Sequence, residues 1–240
     1  MDNRVIYELP SRDAYVDGPV VHHFERPGTR ASRPDMRYQR RFPTDSVKSM
    51  PLDWAYLATD GGGAEGTSGY VALEAYDALE FYAESAPIWW IPARLFDLRD
   101  TWATFYLKEI EPITVAGGWR PHIFVGARAP SPRHAQRLSA WYLKEPLTTG
   151  AGTGEWTYNE VFLSNDPSKW INYTQNPPEH TLDITLGQCG FIGWMYMKGN
   201  AFRGVNATGV IGWDEFRFNL RQHDMERLRA GLPLEHVVEL

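Results

Sequence analysis

The segment Thr208-Gly-Val-Ile-Gly-Trp-Asp-Glu-Phe-Arg-Phe-Asn-Leu220 decides the fold class of this 240-residue chain. From residue 215 onward, polar and apolar side chains alternate, which is the period of a β-strand with one buried face. Asp214 falls in register with the apolar residues Phe216, Phe218 and Leu220. A bare carboxylate on a buried face is costly. We therefore expect Asp214 to be satisfied by a bound cation or by backbone N–H groups.

The composition is that of a soluble globular protein. Hydrophobic residues make up 43% and charged residues 22%. Aromatic residues reach 14%, and such rings either fill a thick β-sandwich core or present flat platforms to sugar rings. The net charge of −6 argues against nucleic acid as the partner.

The cysteine count and the hydropathy pattern argue against two features, an internal disulfide and a membrane span. Cys189 is the only cysteine, so the chain forms no internal disulfide, and its apolar neighbours indicate a small buried side chain. No apolar run approaches the length of a membrane span, so we expect no membrane partner. The first ten residues lack the apolar core of a signal peptide, which predicts a cytoplasmic location.

Short apolar or alternating runs recur between turn signals, and long helical periodicity is rare. Strands of this length and spacing predict an all-β fold, an antiparallel β-sandwich of the jelly-roll type rather than a parallel α/β sheet. The predicted strands are Val5–Leu9, Pro19–Phe24, Tyr70–Tyr76, Thr101–Ile110, His122–Ala127, Arg137–Leu143, Trp156–Leu163, Leu182–Thr185, Cys189–Met197 and Thr208–Leu220.

The two ends of the chain differ from this pattern. Residues 1–50 are less regular, and their arginine-rich stretch Arg26–Arg41 is interrupted by prolines, so we predict an N-terminal arm packed on the core. This stretch is either a solvated or internally paired segment or an anion-binding site. Residues 51–220 form the predicted sandwich. Residues 221–240 carry apolar side chains at helical spacing, and Gly231 and Pro233 then end the predicted short helix.

From about Ser68 to Leu220, the chain resembles jelly-roll sandwiches of the carbohydrate-binding-module and galactose-binding-like type. In such modules a tryptophan is followed by a strand, a short loop and a second tryptophan. A similar order occurs here in Trp156, the apolar run Val161–Leu163 and Trp170. Thr181–Trp194 resembles the penultimate strand of such modules, and Gly209–Phe218 resembles the final strand. The resemblance implies recognition of a carbohydrate or sugar-like ligand.

The same resemblance implies a role for Asp214. In those families the matching aspartate often ligates a structural calcium ion together with a carboxylate from an early strand. Calcium takes six to eight oxygen ligands, so carbonyl groups and another acid must join Asp214. Glu8, Glu25 and Glu74 are the acids considered, and the sequence does not choose among them. An aspartate that accepts backbone N–H bonds at a strand bulge is the alternative.

Candidate ligand-binding residues are those where rings and polar groups are interleaved. Trp119 lies in a glycine-rich loop beside Arg120 and His122, and Trp141 shares a predicted strand face with Arg137 and Ser139. Mixed aromatic and polar groups are typical of ligand sites, although each tryptophan alone would also suit the core. The adjacent pair Trp89 and Trp90 completes the set of candidate stacking rings.

Catalysis is a second possibility. His122 begins a strand after the glycine-rich loop, and Glu160 shares a strand face with Tyr158 and Phe162, so either side chain is a candidate general acid or base. Arg120 or Arg137 would then hold a polar group of the substrate. No lyase-like or glucanase-like motif accompanies these residues.

Three functions follow from the sequence. The first is binding of a small-molecule or glycan ligand without catalysis, at a face around Trp119, His122 and Trp141. The second is a lyase or hydrolase of the same fold that acts on a glycoside or small polyol-like substrate. The third is a structural or assembly protein, a homo-oligomer in which the arm and the C-terminal helix reach neighbouring subunits.

Overall fold

The computed structural model describes residues 15–22, 36–41, 47–51, 56–58, 62–74, 79–84, 95–115, 117–129, 137–172, 181–197 and 207–239. Short 3₁₀ turns occur at Ala64–Gly66 and Pro167–Lys169. The strands and helices within these ranges are β1 (Val20–His22), β2 (Met36–Arg41), β3 (Val47–Pro51), β4 (Tyr56–Ala58), β5 (Tyr70–Glu74), β6 (Leu79–Glu84), β7 (Thr101–Val115), β8 (Arg120–Ala129), β9 (Arg137–Pro146), β10 (Thr157–Leu163), β11 (Trp170–Asn172), α1 (Leu182–Gly187), β12 (Phe191–Met197), β13 (Ala207–Leu220), α2 (Gln222–Arg229) and β14 (Val238–Glu239).

The strands form two sheets with the connectivity of a jelly roll. In the first sheet, β5, β13, β7 and β10 lie side by side, and β1, β4 and β14 extend it. In the second sheet, β6, β12, β8 and β9 lie side by side, extended by β11 at one edge and by β2 and β3 at the other. The chain passes between the sheets as in two interlocked Greek keys. The predicted antiparallel β-sandwich is confirmed.

One predicted strand is wrong. Leu182–Thr185 belongs to α1, not to a strand. The hydroxyl of Thr181 accepts a hydrogen bond from the backbone N–H of Ile184 at 3.3 Å and so caps the first turn. Leu182 and Leu186 then pack on the main core. Their four-residue spacing fits one helix face, and the short apolar run alone did not distinguish a helix from a strand.

The main core lies between the two sheets. It draws Phe105 and Trp213 from the first sheet and Ile123 and Trp194 from the second, all with no exposed surface. The indoles of Trp194 and Trp213 meet edge to face across the sandwich, with ring centroids 6.5 Å apart. Most of the aromatic content on these strands therefore stabilises the sandwich by burial of apolar surface.

A β-bulge in β13 changes which way Asp214 points. Trp213 lies opposite Leu107, and Asp214 lies opposite Tyr106. The next paired residue on β13 is Arg217, which lies opposite Thr104. The strand β13 thus advances three residues where β7 advances two, which is the definition of a bulge.

The extra residue shifts the alternation along β13. Trp213 and Phe216 both lie in the main core, so the residues between them lie on the outer side. Glu215 has a φ of 49°, a value that a side chain other than glycine adopts only in a special turn or bulge. The predicted inward register of Asp214 is therefore wrong. Asp214 points away from the main core, and its complete burial comes from the segment 62–67 that covers it.

The first and last strands of the described residues join the same sandwich. β1 pairs antiparallel to β13, and β14 pairs parallel to β1. β2 and β3 pair with each other, and β2 also pairs with β6. The predicted short C-terminal helix is α2. The division into residues 1–50, 51–220 and 221–240 stays a prediction. None of the helices in the described ranges is long and apolar enough to cross a membrane.

Candidate functional site

Two of the four tryptophans predicted to bind ligand pack on the inside of the sandwich. Trp119 and Trp141 are partly buried and both pack against the main core. Trp141 lies opposite Val125, which is itself fully buried in that core. In a strand pair, directly opposed residues share a face, so Trp141 belongs to the inner face of the second sheet.

Two polar members of the group, Arg120 and His122, lie on the other face of that sheet. Arg120 and His122 alternate with the buried core residue Ile123 along β8. His122 is only 8% exposed, its Nδ1 lies 2.8 Å from the carbonyl oxygen of Leu143, and its ring meets Tyr142 edge to face at 5.3 Å. Burial lowers the pKa of His122 because it disfavours the charged imidazole. The neutral form is therefore favoured at pH 7.

The structure does not bring the predicted group together as one surface. Trp141 and His122 occupy opposite faces of the second sheet. Arg137 lies in β9 opposite Ala129, and only its place in the strand is described. Trp89 and Trp90 lie outside the described residues. The roles assigned to these residues stay predictions.

Glu160, the second predicted catalytic residue, lies in a different sheet from His122. It lies in β10 between the inward-facing residues Asn159 and Val161, so it points to the outer side of the first sheet. Its carboxylate forms an ion pair with Arg229 of α2. Because His122 faces outward from the second sheet, the two side chains lie on opposite sides of the sandwich and do not form an acid–base pair.

The outer side of the first sheet carries an aromatic surface that the predicted group did not include. The outer aromatic face consists of Trp102 and Tyr106 on β7 and Tyr158 and Phe162 on β10. Tyr158 is 42% exposed and Phe162 is 39% exposed. The rings of Trp102 and Phe162 lie 4.7 Å apart, and those of Tyr106 and Tyr158 lie 5.1 Å apart.

The register of β7 and β10 produces this arrangement. Phe162 lies opposite Trp102 and Tyr158 lies opposite Tyr106, so each ring has a cross-strand aromatic neighbour. Between the two pairs, Glu160 lies opposite Thr104. The guanidinium of Arg229 lies over the Trp102 ring, 5.6 Å from its centroid, while it pairs with Glu160. The result is two aromatic pairs with one charged group between them.

A groove of about 830 Å³ runs beside the outer aromatic face, between β9 and β10. Tyr158 and Phe162 line it together with Glu160, Lys144 and Ser168. The Nζ atom of Lys144 donates to the carbonyl oxygen of Ser168 at 2.6 Å, which fixes one wall.

A buried amide holds the neighbouring wall of the groove. The side chain of Asn159 accepts from the backbone N–H of Thr148 and donates to its carbonyl oxygen, both at 2.9 Å. Asn159 is only 6% exposed. The lining of the groove is therefore held in place by hydrogen bonds within the chain.

The segment 62–67 forms the border of the outer aromatic face. Hydrogen bonds to Asp214 hold this segment in place. Oδ2 of Asp214 accepts a hydrogen bond from the backbone N–H of Ala64 at 2.8 Å. The hydroxyl of Thr67 lies 2.8 Å from the same oxygen atom. Oδ1 accepts from the backbone N–H of Glu215 at 2.8 Å. Trp156 Nε1 donates to the carbonyl oxygen of Gly62 at 2.8 Å and ties down the other end.

Charged groups connect this border to the aromatic rings. Glu65 accepts from the Tyr106 hydroxyl at 2.5 Å, and its other oxygen lies 3.3 Å from the Arg217 guanidinium. Arg217 also pairs with the buried Glu215. Burial raises the pKa of Asp214 to about 6, against the lowering effect of its hydrogen bonds. Burial, followed by the hydrogen bond to Glu65, raises the pKa of Tyr106, so that phenol stays protonated at neutral pH.

The predicted calcium site at Asp214 is left without a test. In the part of the chain that the structure describes, no three acidic, histidine or cysteine side chains are grouped so as to hold a metal ion. Both oxygen atoms of Asp214 already accept hydrogen bonds from the protein. The observed contacts therefore match the alternative prediction, in which backbone N–H groups at a bulge satisfy the carboxylate. The calcium ion stays a prediction.

The sequence did contain a signal for the outer aromatic face. Along β7 the residues of the main core alternate with Trp102, Thr104 and Tyr106, and along β10 the inward residues alternate with Tyr158 and Phe162. Two strands with aromatic side chains on their polar faces indicate an exposed aromatic surface once the strands are known to pair. Their pairing is a long-range property that the alternation does not show.

No family model matches the chain, and no curated protein matches it. One similar solved structure is a family 11 carbohydrate-binding module from Clostridium thermocellum, in complex with a beta-1,3-1,4-mixed-linked tetrasaccharide. It is 13% identical, the match covers 78% of this chain and 97% of that one, and the TM-score is 0.39.

A second similar structure is a candidate glycoside hydrolase from Bacteroides thetaiotaomicron. It is 13% identical, the match covers 84% of this chain and 71% of that one, and the TM-score is 0.42. The first of the two structures is a module of the class that the closing strands resemble. TM-scores below 0.5 identify no ligand and no reaction of this chain, and the sandwich follows from its own strand pairing.

Proposed function

We propose that this protein binds a carbohydrate through the outer aromatic face and the adjacent groove. The observation that carries the proposal is the exposure of Tyr158 and Phe162, each beside a cross-strand aromatic neighbour and both on the wall of one groove. Large apolar side chains that stay exposed together, rimmed by polar groups, mark binding surfaces.

The aromatic rings would supply the affinity. A pyranose ring presents C–H groups on its faces, and these pack on a flat aromatic side chain with a loss of water from both surfaces. Phe162 has no hydroxyl, so its exposed edge offers apolar contact alone. Tyr158 adds a hydroxyl that donates to or accepts from a ligand hydroxyl.

The charged groups between and beside the rings would supply the specificity. The Glu160 carboxylate accepts hydrogen bonds, and the ammonium of Lys144 and the guanidinium of Arg229 donate them. All three lie on or beside the groove wall or the outer aromatic face. A groove of about 830 Å³ lies within the range of about 300–1,000 Å³ that is typical of small-molecule sites. This size and lining support a sugar ligand that lies partly in the groove and partly on the rings.

The test is a glycan array followed by calorimetric titration of the sugars that bind. We expect the Tyr158→Ala and Phe162→Ala variants each to weaken binding about tenfold or more, because each removes one ring from the surface. Ile184→Ala is the matched control, since Ile184 is 43% exposed on α1, away from the groove. The control should bind as the parent protein does.

Two further measurements complete the test. Arg229→Ala should weaken binding and leave the melting temperature nearly unchanged, because an exposed ion pair contributes little to stability. An assay for newly formed reducing ends on the bound sugars should detect none, and turnover abolished by Glu160→Gln would favour the hydrolase alternative instead. If both ring variants bind as the parent does, the ligand does not use this face and the proposal fails.

A further inference from the structure

A second cavity, of about 470 Å³, lies where β1, the end of β13 and the start of α2 meet. It shares no lining residue with the groove. Its wall includes Asp17, Asn219, Asp224 and the exposed side chain of His223. Two buried side chains of this wall each hold an oxygen atom that receives no hydrogen bond in the structure.

The first of these oxygen atoms belongs to Asp224, whose side chain is 1% exposed. Oδ2 accepts from the backbone N–H of Arg221 at 2.7 Å and caps α2. Oδ1 is buried and has no hydrogen-bond partner. His223 Nε2 lies 3.1 Å from it, outside hydrogen-bond geometry, and carries charge only when it is protonated. A buried carboxylate oxygen without a donor is costly, which points to a ligand that donates.

The second oxygen atom belongs to Asn219, which is 4% exposed. Its amide nitrogen donates to the carbonyl oxygen of Gly18 at 2.7 Å and lies 3.4 Å from that of Val16. These bonds orient the amide, and Oδ1 is left buried without a partner. Asn219 has a φ of 58°, which asparagine tolerates better than most residues. The same left-handed conformation holds its side chain against β1.

The wall of this cavity carries more negative than positive charge. Asp97 is paired with Arg99, and Glu235 is paired with Arg227. Asp17 and Asp224 remain, and Arg221 is the one further guanidinium on the described wall. The nitrogen atoms of Arg221 donate to the backbone carbonyl oxygens of Arg99 and Asp97, both at 3.2 Å. The cavity thus has two acidic side chains for one cation.

We infer that this cavity binds a small ligand through a primary ammonium group, held by Oδ1 of Asp224 and Oδ1 of Asn219. An ammonium group carries one positive charge and three N–H donors. It can donate one hydrogen bond to each of the two unsatisfied oxygen atoms, and its third N–H is left for another acceptor. A divalent metal ion fits less well, because no metal-holding group of side chains occurs in the described ranges. A neutral sugar donates hydrogen bonds but leaves the charge of Asp224 unpaired.

His223 covers the site. Its side chain is 70% exposed and touches the buried Oδ1 of Asp224. A rotation of this one exposed ring gives a ligand access to the carboxylate without a change in the backbone.

The experiment is a calorimetric titration of the whole protein with glucosamine, with N-acetylglucosamine as the neutral counterpart, and with Nα-acetyl-lysine amide. Binding of glucosamine alone identifies an amino sugar as the source of the ammonium group, and binding of both amines identifies the ammonium group itself. Replacing His223 with alanine should tighten binding, because it removes the ring that covers the Asp224 carboxylate. Asp224→Asn should weaken binding about tenfold or more, since it removes a charge-assisted hydrogen bond.

The outcomes that overturn the inference are specific. If neither amine binds, or N-acetylglucosamine binds as tightly as glucosamine, the ammonium site does not exist. Stabilisation by calcium or magnesium chloride that disappears in Asp224→Asn would replace it with a metal site. Should Asp224→Asn fail to fold, the His223→Ala variant decides alone, because its exposed side chain is not needed for the fold. Unchanged binding in that variant contradicts the role of His223 as a cover.

Discussion

The hydroxyl oxygen of Thr67 lies 2.8 Å from Oδ2 of Asp214. The same hydroxyl lies 2.8 Å from the carbonyl oxygen of Ala64, and its single proton reaches only one of these two acceptors at a time. When Thr67 donates to Oδ2, it favours the ionised carboxylate and lowers the pKa of Asp214. Burial has the larger effect and raises the pKa of Asp214 to about 6.

The first prediction concerns the pH dependence of stability. The pKa of Asp214 is raised in the folded state, so its contribution is present at low pH and is lost as the pH rises through about 6. Against an Asp214→Asn variant, the parent should gain about 2 kcal/mol of unfolding free energy between pH 7.5 and pH 4.5. Urea unfolding at both pH values measures this difference. Glu155→Gln, at an exposed turn, is the control. A parent-minus-variant difference that is constant with pH would contradict the prediction.

The second prediction concerns Thr67. A Thr67→Val variant keeps the shape of the side chain but removes the hydroxyl, so the Asp214 carboxylate loses one donor. We expect a loss of about 1 kcal/mol of unfolding free energy at neutral pH and a further rise of the pKa of Asp214. Thr114→Val, at an exposed position of β7, is the matched control. In a double-mutant cycle with Asp214→Asn, additive effects would show that the two side chains do not interact.

The third prediction separates packing from recognition at Trp141. Because Trp141 packs on the main core, Trp141→Phe should lower the unfolding free energy by about 1–2 kcal/mol through lost contact area. Binding of any glycan that uses the outer aromatic face should be unchanged. Thermal unfolding and calorimetric titration of the same preparation measure both effects. Lost binding with unchanged stability would instead restore Trp141 as a ligand residue.

The fourth prediction concerns calcium. Three donors of the protein already contact the oxygen atoms of Asp214. We therefore expect the same melting temperature in calcium chloride and in chelator. Calcium prefers six to eight oxygen ligands, and a site at Asp214 would have to break some of these hydrogen bonds. A rise in melting temperature with calcium that disappears in Asp214→Asn would establish the calcium site instead.

At the candidate site, a local sequence pattern does not determine the face on which a side chain lies or the strand that pairs beside it. Strict alternation predicted that Asp214 lies on the same face as Phe216. The bulge at Glu215 inserts one residue, so the side chains before it point to the opposite face from the predicted one. A register change of one residue moves a side chain to the other face of a sheet. Alternation places Tyr158 and Phe162 on one face of β10, yet only the pairing with β7 places their rings beside Trp102 and Tyr106.

The sequence by itself determined the class of fold, because alternation of apolar side chains with a period of two is a local consequence of strand geometry. It also determined that Asp214 needs a partner, since any buried carboxylate does. Only the tertiary structure decided which face Asp214 takes, which tryptophans fill the core and which aromatic rings stay exposed. These depend on bulges, strand register and covering segments. Such contacts join residues as distant as Ala64 and Asp214, and no local pattern encodes them.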